Sequence, residues 1–297
     1  GKIHAPMILP HPRGYVCARA HTPIVIDGDL DKPVWDAAPW SEEFLDIEGE
    51  FQPEPTWPTR VKMLWDDEYF YIGAYLTEPH VWATLTEHDS VIFQDNDFEV
   101  FLDPDSDNHD YGELELNALN TTWDLRLPKP YRDGGPALNE WELHGMKTAV
   151  KIDGTLNDPS DEDQGWSVEI AIPWAALATL KGGDRPAVGQ QWRINFSRVE
   201  WDIEITEGRY EKVPNTPEHN WVWSPQWVID MHRPENWGYV QFEETADIEF
   251  RPDPTWEQRC RLMNAYNTSQ ETGSLHPGWE FEERTLRIAH DSQITPK

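Results

Sequence analysis

The sequence predicts an all-β protein, an antiparallel β-sandwich of immunoglobulin-like type with long loops and a short C-terminal helix. Short runs of alternating apolar and polar residues recur between residues 22 and 243, and this period of two is typical of a strand with one buried face. Gly, Pro, Asn and Asp separate the runs, and these residues favour turns. Helical periodicity is absent from that stretch, which excludes a mainly helical fold.

A chain of 297 residues without an internal linker is the size of one large all-β domain. We therefore expect an N-terminal extension over residues 1–21, the sandwich over residues 22–245, and a helix with a surface-wrapping tail over residues 246–297.

The predicted strands, in chain order, are 60–65, 69–75, 97–103, 113–118, 122–127, 147–152, 166–172, 192–199 and 239–242. The polar turn Asp66-Asp67-Glu68 predicts a hairpin between the first two. A helix is expected after Pro254, where Thr255 and Gln258 have capping-box spacing, and it should run to about residue 266. A one-turn helix is expected at 174–177.

The 55 acidic and 24 basic residues give a formal net charge of -31. Such a charge repels phosphate backbones and anionic membrane surfaces, so nucleic acid and membrane partners are not expected. Neutral sugars, cations and basic partners remain. An acidic surface is also an ordinary solubility feature, so charge alone does not identify a site.

No segment approaches the ~18 apolar residues needed to span a bilayer, and residues 1–5 lack the pattern of a secretion signal. Cys17 and Cys260 either form one bridge or remain two free buried thiols, and the sequence leaves both alternatives open.

The chain has 17 Trp, more than one sandwich core needs. Indoles on loops stack well on sugar rings. Five are predicted to pack the core: Trp35, Trp65, Trp166, Trp192 and Trp237.

Five local motifs occur in a fixed order. They are IVIDGDLD followed by VW at residues 24–35, VKMLWD with YFYI at 61–72, DFEVFLD at 97–103, GWSVEIAIPW at 165–174, and WG at 237–238. In this order they resemble the family 9 carbohydrate-binding modules, a group of DOMON-like β-sandwiches, over about residues 22–243.

The resemblance implies a β-sandwich, a bound calcium ion, and a slot that holds a sugar between aromatic rings. The two slot positions fall on Phe93 and on about Met231 or His232. Glu99 matches the family's ligand-binding Glu, and Asn117 matches a polar position on the next strand. Because two indoles are not reproduced at the slot positions, the resemblance implies sugar binding without identifying a glucan.

Strand parity gives a separate interpretation, because successive side chains point to opposite faces. Phe98, Val100 and Leu102 form one apolar face, and Trp123, Leu125 and Leu127 are predicted to be core. The predicted outward polar face consists of Asp97, Glu99, Glu113, Glu115, Asn117, Asp124 and Arg126. Such groups hydrogen-bond sugar hydroxyls; the alternative is a solvated outer face.

Three further regions are expected to border that face. A change of parity near residues 195–201 predicts a bulge that re-aims Arg198 and Trp201. Trp221 or Trp223 is expected to line a ligand slot, unless both cover the end of the sandwich. The Gly-rich loop at 131–135 contains Arg132, which either pairs with an acidic sugar or belongs to an ordinary tight turn.

Asp103, Asp105, Asp107 and Asp110 place carboxylates at short spacing in one loop, the oxygen-rich pattern that calcium prefers. The segment 157–163 is a weaker candidate of the same kind. A solvated acidic turn is the alternative for both. Scattered histidines and two distant cysteines do not have zinc-ligand spacing.

The predicted function is non-catalytic recognition of a poly- or oligosaccharide, by a monomer outside the cytoplasm, in polysaccharide utilisation. The alternative is a glycoside hydrolase or lyase that uses paired carboxylates, with Glu99 and Glu115 as the first pair to test. A haem-binding sandwich through Met231 and His232 is a third, weaker alternative.

Overall fold

The alternating runs form fourteen strands within residues 8–272, the part of the chain that the computed structural model describes. In chain order they are β1 (Gly14–Arg19), β2 (Leu45–Asp46), β3 (Thr59–Trp65), β4 (Tyr69–Thr77), β5 (Asp97–Asp103), β6 (Tyr111–Asn117), β7 (Thr122–Leu127), β8 (Lys147–Asp153), β9 (Gly165–Pro173), β10 (Gln191–Glu200), β11 (Ile203–Thr206), β12 (Arg209–Lys212), β13 (His219–Val222) and β14 (Gly238–Phe242). Two α-helices are described, α1 (Trp174–Leu177) and α2 (Trp256–Thr272).

The strands form two layers. Layer A has the order β7-β6-β5-β10-β14, with β13 paired to the end of β10 and β2 paired to β13; layer B has the order β3-β4-β9-β8. Strand β1 joins the layers, because Gly14 to Cys17 pair in parallel with β14 and Ala18 and Arg19 pair in parallel with β3. A separate hairpin is formed by β11 and β12.

The main core lies between the layers, as the alternating pattern requires. Phe98 and Phe196 of layer A stack with ring centroids 5.8 Å apart, and they belong to one buried cluster with Ile72 and Trp166 of layer B. The five tryptophans predicted to be core are each no more than 1% exposed.

The IDG motif anchors the N-terminal segment to the outer side of layer B. Glu169 on β9 accepts hydrogen bonds from the backbone N–H groups of Asp27 and Gly28 and from the indole of Trp35. Lys32 Nζ lies 2.7 Å from the same carboxylate. Gly28 has φ +84 and its backbone lies against Lys151, where a Cβ would come within 2.8 Å of the Lys151 nitrogen, so this motif needs glycine.

The predicted fold class is confirmed, and each of the nine predicted strands is found with its ends within two residues. The hairpin at Asp66 is also found, with Trp65 opposite Phe70. Within the predicted extension 1–21, residues Gly14–Arg19 form β1 and are part of the sandwich. The short strands β2, β11, β12 and β13 were not predicted.

Helix α2 begins at Trp256, close to the predicted start, and Asp253 accepts the hydrogen bond of the Thr255 backbone N–H just before it. The helix extends beyond residue 266, and residues 1–7 and 273–297 of the predicted termini lie outside the described residues. Cys17 and Cys260 are both free and buried. No helix within residues 8–272 has the length and apolar character needed to cross a membrane.

Candidate functional site

The register of three strands decides which side chains share the outer face of layer A. Glu99 on β5 is opposite Glu115 on β6, which is opposite Trp123 on β7. In the next row, Phe101, Glu113 and Leu125 are paired in the same way. Directly opposed residues project from the same side of a sheet, so these carboxylates lie between apolar and aromatic side chains.

These rows form the floor of a cleft, the Glu99 cleft, with a cavity volume of about 260 Å³. Its floor contains Glu99, Glu113 and Glu115. The other lining residues are Ile47, Phe93, Phe101, Trp123, Leu125, Tyr131, Val199, Glu218, Asn220, Ile229, Asp230, Met231 and His232. The cleft therefore brings together Phe93 and both candidates for the second slot position.

Hydrogen bonds hold the Phe93 wall. The Phe93 backbone N–H donates to Glu115 Oε2 over 2.9 Å. The indole N–H of Trp201 donates to the Phe93 carbonyl over 2.9 Å. Trp201 thus supports the cleft from behind Phe93, and is not among the residues that line it.

The opposite wall is held in a similar way. His232 Nδ1 lies 3.0 Å from the Tyr111 hydroxyl, and the Trp237 indole donates to the Met231 carbonyl over 2.8 Å. Tyr131 packs edge-on against His232 with ring centroids 4.5 Å apart. Both walls of the cleft are therefore held in place by contacts within the protein, before any ligand binds.

The carboxylates of the cleft are buried, and among the described residues few hydrogen-bond donors and no cation lie beside them. One carboxylate oxygen each of Asp97, Glu99 and Glu115 lies within 4.8 Å of the others; Asp97 is fully buried and is not among the lining residues. Asp97 Oδ2 and Glu113 Oε2 have no hydrogen-bond partner. Burial raises the pKa of Glu99 to about 7. Burial, reinforced by the Glu99 charge, raises the pKa values of Glu113 and Glu115 well above their usual range.

None of the described residues that line the cleft is Lys or Arg. His232 does not supply a positive charge at neutral pH, because burial lowers its pKa to about 4. Its Nε2 is 3.9 Å from Glu113 Oε2. The cleft is therefore a concave surface of acceptor groups and aromatic rings without a protein cation.

Asn117 lies on the same face but is not available to a ligand. Its Nδ2 donates to the Leu85 carbonyl and to Asp95, and its Oδ1 accepts from the backbone N–H groups of Leu119 and Thr121. It is fully buried. Asn117 fixes the loop beside the cleft and does not face it.

The predicted faces of β7 are reversed in the structure. Trp123 and Leu125 share the outer face with Glu115 and Glu113, whereas Arg126 is opposite Gly112 on the other side of the sheet. Arg126 Nε is 2.5 Å from Asp110 Oδ1. The apolar residues of β7 therefore do not belong to the main core, as predicted, but pack in a separate apolar cluster on the outer face.

No bulge occurs at Arg198, which is a second correction. Strand β10 keeps a regular register through Glu200, so Arg198 points to the inner side with Phe196. Its guanidinium contacts Glu78 and Glu200 at 2.9 and 2.8 Å. Arg198 closes the end of the core and does not reach the cleft.

Trp221 and Trp223 also lie on the inner side. Trp221 is opposite Arg198, whose guanidinium carbon is 5.2 Å from its ring centroid. Trp223 packs on Phe196 at 5.9 Å, and both indoles are part of the main core. Trp221 and Trp223 therefore cover the end of the sandwich, as in the alternative given from the sequence.

Sequence reasoning missed Trp123 and Tyr131 as cleft residues. The signal for Trp123 was the length of the connection between β6 and β7. In this connection Asn120 has φ 61, and Leu116 at the end of β6 is opposite Thr122 at the start of β7. That turn places odd-numbered residues of both strands on one face. Tyr131 lies in the predicted Gly-rich loop, where the candidate for ligand contact was its neighbour Arg132; Arg132 instead pairs with Glu235 at 2.9 Å.

The acidic loop after β5 brings together three of its four predicted ligands. Oxygens of Asp103, Asp105 and Asp107 lie within 4.8 Å of one another, while Asp110 pairs with Arg126. In the weaker segment 157–163, Asp163 accepts backbone N–H groups of Val81 and Thr155, so that carboxylate is committed to the turn.

A β-sandwich with an aromatic-walled, carboxylate-lined cleft on the outer face of one sheet has the architecture of a carbohydrate-binding module. The chain belongs to the family described as "Carbohydrate family 9 binding domain-like", whose family model matches residues 26–213, more than half of the chain.

Two curated relatives carry a similar segment. The chain is 26% identical over 179 residues to Exoglucanase XynX of Acetivibrio thermocellus and 27% identical over 178 residues to Endo-1,4-beta-xylanase A of Thermotoga neapolitana. These alignments cover 59% and 60% of this chain but only 14% of each relative. The similarity therefore concerns one part of each enzyme.

A solved structure has the same fold. A carbohydrate binding module of family 9 from Caldicellulosiruptor kristjanssonii, in complex with cellotriose, superposes with a TM-score of 0.51 and 17% sequence identity. The match covers 81% of this chain and 100% of that module.

Proposed function

We propose that the protein binds a carbohydrate in the Glu99 cleft and does not catalyse its cleavage. The observation that carries this proposal is the grouping of Glu99, Glu113 and Glu115 on a floor between the rings of Phe93 and Trp123. Membership of the carbohydrate-binding family and the cellotriose complex of a module with the same fold support it.

The chemistry of the cleft suits sugar rings. Hydroxyl groups of a sugar donate to carboxylates, which are acceptors when ionised, and the C–H faces of the ring pack on aromatic side chains. Uronic acids would be repelled, because the lining offers carboxylates and no Lys or Arg. Phe93 replaces a larger indole, so the cleft holds its ligand through the Trp123 side and the carboxylate floor.

The glycosidase alternative fits this arrangement less well. Glu99 and Glu115 are a directly opposed pair on one side of one sheet, with oxygens within 4.8 Å of each other. Glycosidase carboxylates flank the scissile bond, about 5–5.5 Å apart in retaining enzymes and about 6.5–9.5 Å apart in inverting ones. Glu99 and Glu115 lie beside each other on the floor, so both would contact a bound sugar from the same side and would not flank its glycosidic bond.

Isothermal titration calorimetry with a panel of neutral mono- to hexasaccharides tests the proposal. Trp123→Ala and Glu99→Gln should each weaken binding about tenfold or more, which corresponds to about 1.4 kcal/mol. Trp40→Ala is the matched control, because that indole is exposed and packs on Lys62 away from the cleft.

Two results would contradict the proposal. The first is no binding to any glycan of a broad array. The second is release of reducing ends from a polysaccharide by the wild type, abolished by Glu99→Gln or Glu115→Gln and unaffected by Trp40→Ala, which would establish an enzyme.

Calcium is the second part of the proposal. Asp103, Asp105 and Asp107 would hold the ion, because their oxygens cluster and Asp103 Oδ1 and Asp105 Oδ1 have no hydrogen-bond partner. Lys181 Nζ now lies 2.8 Å from Asp105, and its exposed side chain would have to move away. A bound ion would neutralise the loop and brace β5 against β6.

Calcium binding should raise the melting temperature in proportion to the logarithm of its concentration. Asp105→Asn should remove this dependence, while Asp29→Asn, a control at a partly exposed carboxylate that pairs with Lys151, should keep it. Equal melting temperatures in calcium and in chelator would argue against the ion.

The proposed place of action is outside the cytoplasm, in polysaccharide capture, as a monomer. Two relatives named as an exoglucanase and a xylanase contain similar segments, and their names refer to polymers that cells meet outside. One chain supplies all the lining residues of the cleft. Fractionation of the source cells and light scattering of the purified protein test location and oligomeric state.

A further inference from the structure

The floor of the Glu99 cleft carries more acidic groups than the fold requires. Glu99 and Glu115 are directly opposed across the β5–β6 ladder, and like charges in that position destabilise a sheet. Asp97 lies within the same group of oxygens. A core position or a solvated face would not need three acidic side chains so close together.

Two other groups of buried carboxylates have a cation beside them. At the inner end of layer A, Arg198 contacts Glu78 and Glu200 within 2.9 Å. In the outer part of layer B, Lys32 contacts Glu169. The described lining of the cleft contains no such cation.

One floor carboxylate also has a buried oxygen without a hydrogen-bond partner. Glu113 is only 5% exposed, lines the cleft, and has no hydrogen-bond partner for Oε2. A buried polar atom without a partner costs about 1–3 kcal/mol. The aromatic rings of Trp123 and Tyr131 border the floor, and the face of such a ring attracts a cation.

We infer that the cleft selects a cationic sugar, an amino sugar with a free ammonium group, which Glu99, Glu113 and Glu115 hold as counter-charge. This inference rests on the proposed function and names the class of ligand. An ammonium group has three N–H donors and no acceptor, so it complements a floor made of acceptors. Charge-assisted bonds of this kind are about twice as strong as neutral ones.

Three trisaccharides with the same β-1,4 backbone isolate the effect of charge. Cellotriose carries a hydroxyl at each C2, N-acetylchitotriose an acetamide, and the glucosamine trimer an ammonium. At pH 6.5 and low salt, we expect the glucosamine trimer to bind at least 30-fold more tightly than either of the others. Its binding should release protons from the floor, which is measured by repeating the titration in two buffers of different ionisation enthalpy.

Substitutions of the floor carboxylates test whether they cause the preference for the glucosamine trimer. Glu113→Gln and Glu99→Gln should each reduce the advantage of the glucosamine trimer over cellotriose to less than about fivefold. Glu204→Gln, on the exposed β11–β12 hairpin, should leave it unchanged. Circular dichroism of each variant establishes that it is folded.

The failures are distinguishable. If cellotriose or N-acetylchitotriose binds as tightly as the glucosamine trimer and Trp123→Ala weakens it, the amino-sugar inference is wrong and the proposed function stands. The inference is also wrong if chelator abolishes binding of all three sugars equally, because a metal ion would then be the counter-charge. If no sugar of any class binds, both proposals fail.

Discussion

Two buried groups of acidic side chains, one at the end of the main core and one on the outer face of layer A, differ in one respect. At the inner end of β10, Glu78 and Glu200 share the guanidinium of Arg198, which also donates to Thr59 Oγ1 and the Thr77 carbonyl. On the outer face, the Glu99 cleft has carboxylates of the same kind and no protein cation in its described lining. Burial raises the pKa of Glu200 too, but there the Arg198 charge opposes it.

The difference separates a structural group from a binding group. A buried charge is strongly unfavourable unless it is paired, and the first group meets that requirement within the fold. The second leaves it to a proton or a ligand. Strained or unsatisfied groups of this type are characteristic of functional sites.

Removing Arg198 should have the largest effect. Arg198→Met leaves Glu78 and Glu200 buried without a cation, and we expect a loss of about 3–5 kcal/mol in the free energy of unfolding. Urea unfolding measures it, with Arg209→Met on the exposed hairpin as control. A loss below about 1 kcal/mol would mean that the two acidic groups are equivalent after all.

The pH dependence of stability should come from the cleft. Glu99 has a folded-state pKa of about 7 against an ordinary value of 4.5, so between these pH values the folded protein holds a proton that the unfolded chain has lost. Its contribution is complete below pH 4.5 and disappears as pH rises through 7, about 3 kcal/mol in total. Urea unfolding from pH 4.5 to 8 should show this decline.

Glu99→Gln should flatten that decline and should not destabilise the protein at pH 8. Glu200→Gln, the matched variant in the paired group, should destabilise it there, because Arg198 loses a charged partner. The interpretation fails if the wild type and Glu99→Gln have the same slope.

The smallest effect is expected for Arg126→Met. Its ion pair with Asp110 is partly exposed, with side chains 31% and 19% accessible, and such pairs contribute about 0–1 kcal/mol. Because Arg126 lies on the opposite side of β7 from Trp123, sugar affinity should change less than twofold. A tenfold loss of affinity would contradict the observed register.

The fold was predictable because its main strands alternate clearly, as in 97–103 and 166–172, and because turn residues separate them. β1 was missed because its sequence, GYVCAR, lacks a regular apolar period and its partners are distant in sequence. Parallel pairing of this kind leaves no local signal.

Prediction of the face was correct where alternation within one strand decides it, as for Glu99 and Glu115; their role in binding stays a prediction. Prediction of the face did not succeed for Arg126, Arg198 and Trp221, because their faces depend on the register between strands. Strand β7 alternates regularly, but its apolar residues Trp123, Leu125 and Leu127 pack in the apolar cluster on the outer face and not in the main core. Apolar character therefore does not identify the inner face there.

The shared strand β1 has a mechanical consequence. Its first half is hydrogen-bonded to layer A and its second half to layer B, so pulling the layers apart has to break backbone ladders as well as separate a core. Local unfolding that begins at one edge of a sheet therefore either stops at β1 or becomes global unfolding. The sheet that carries the cleft, layer A, is thus expected to open only when the whole domain unfolds.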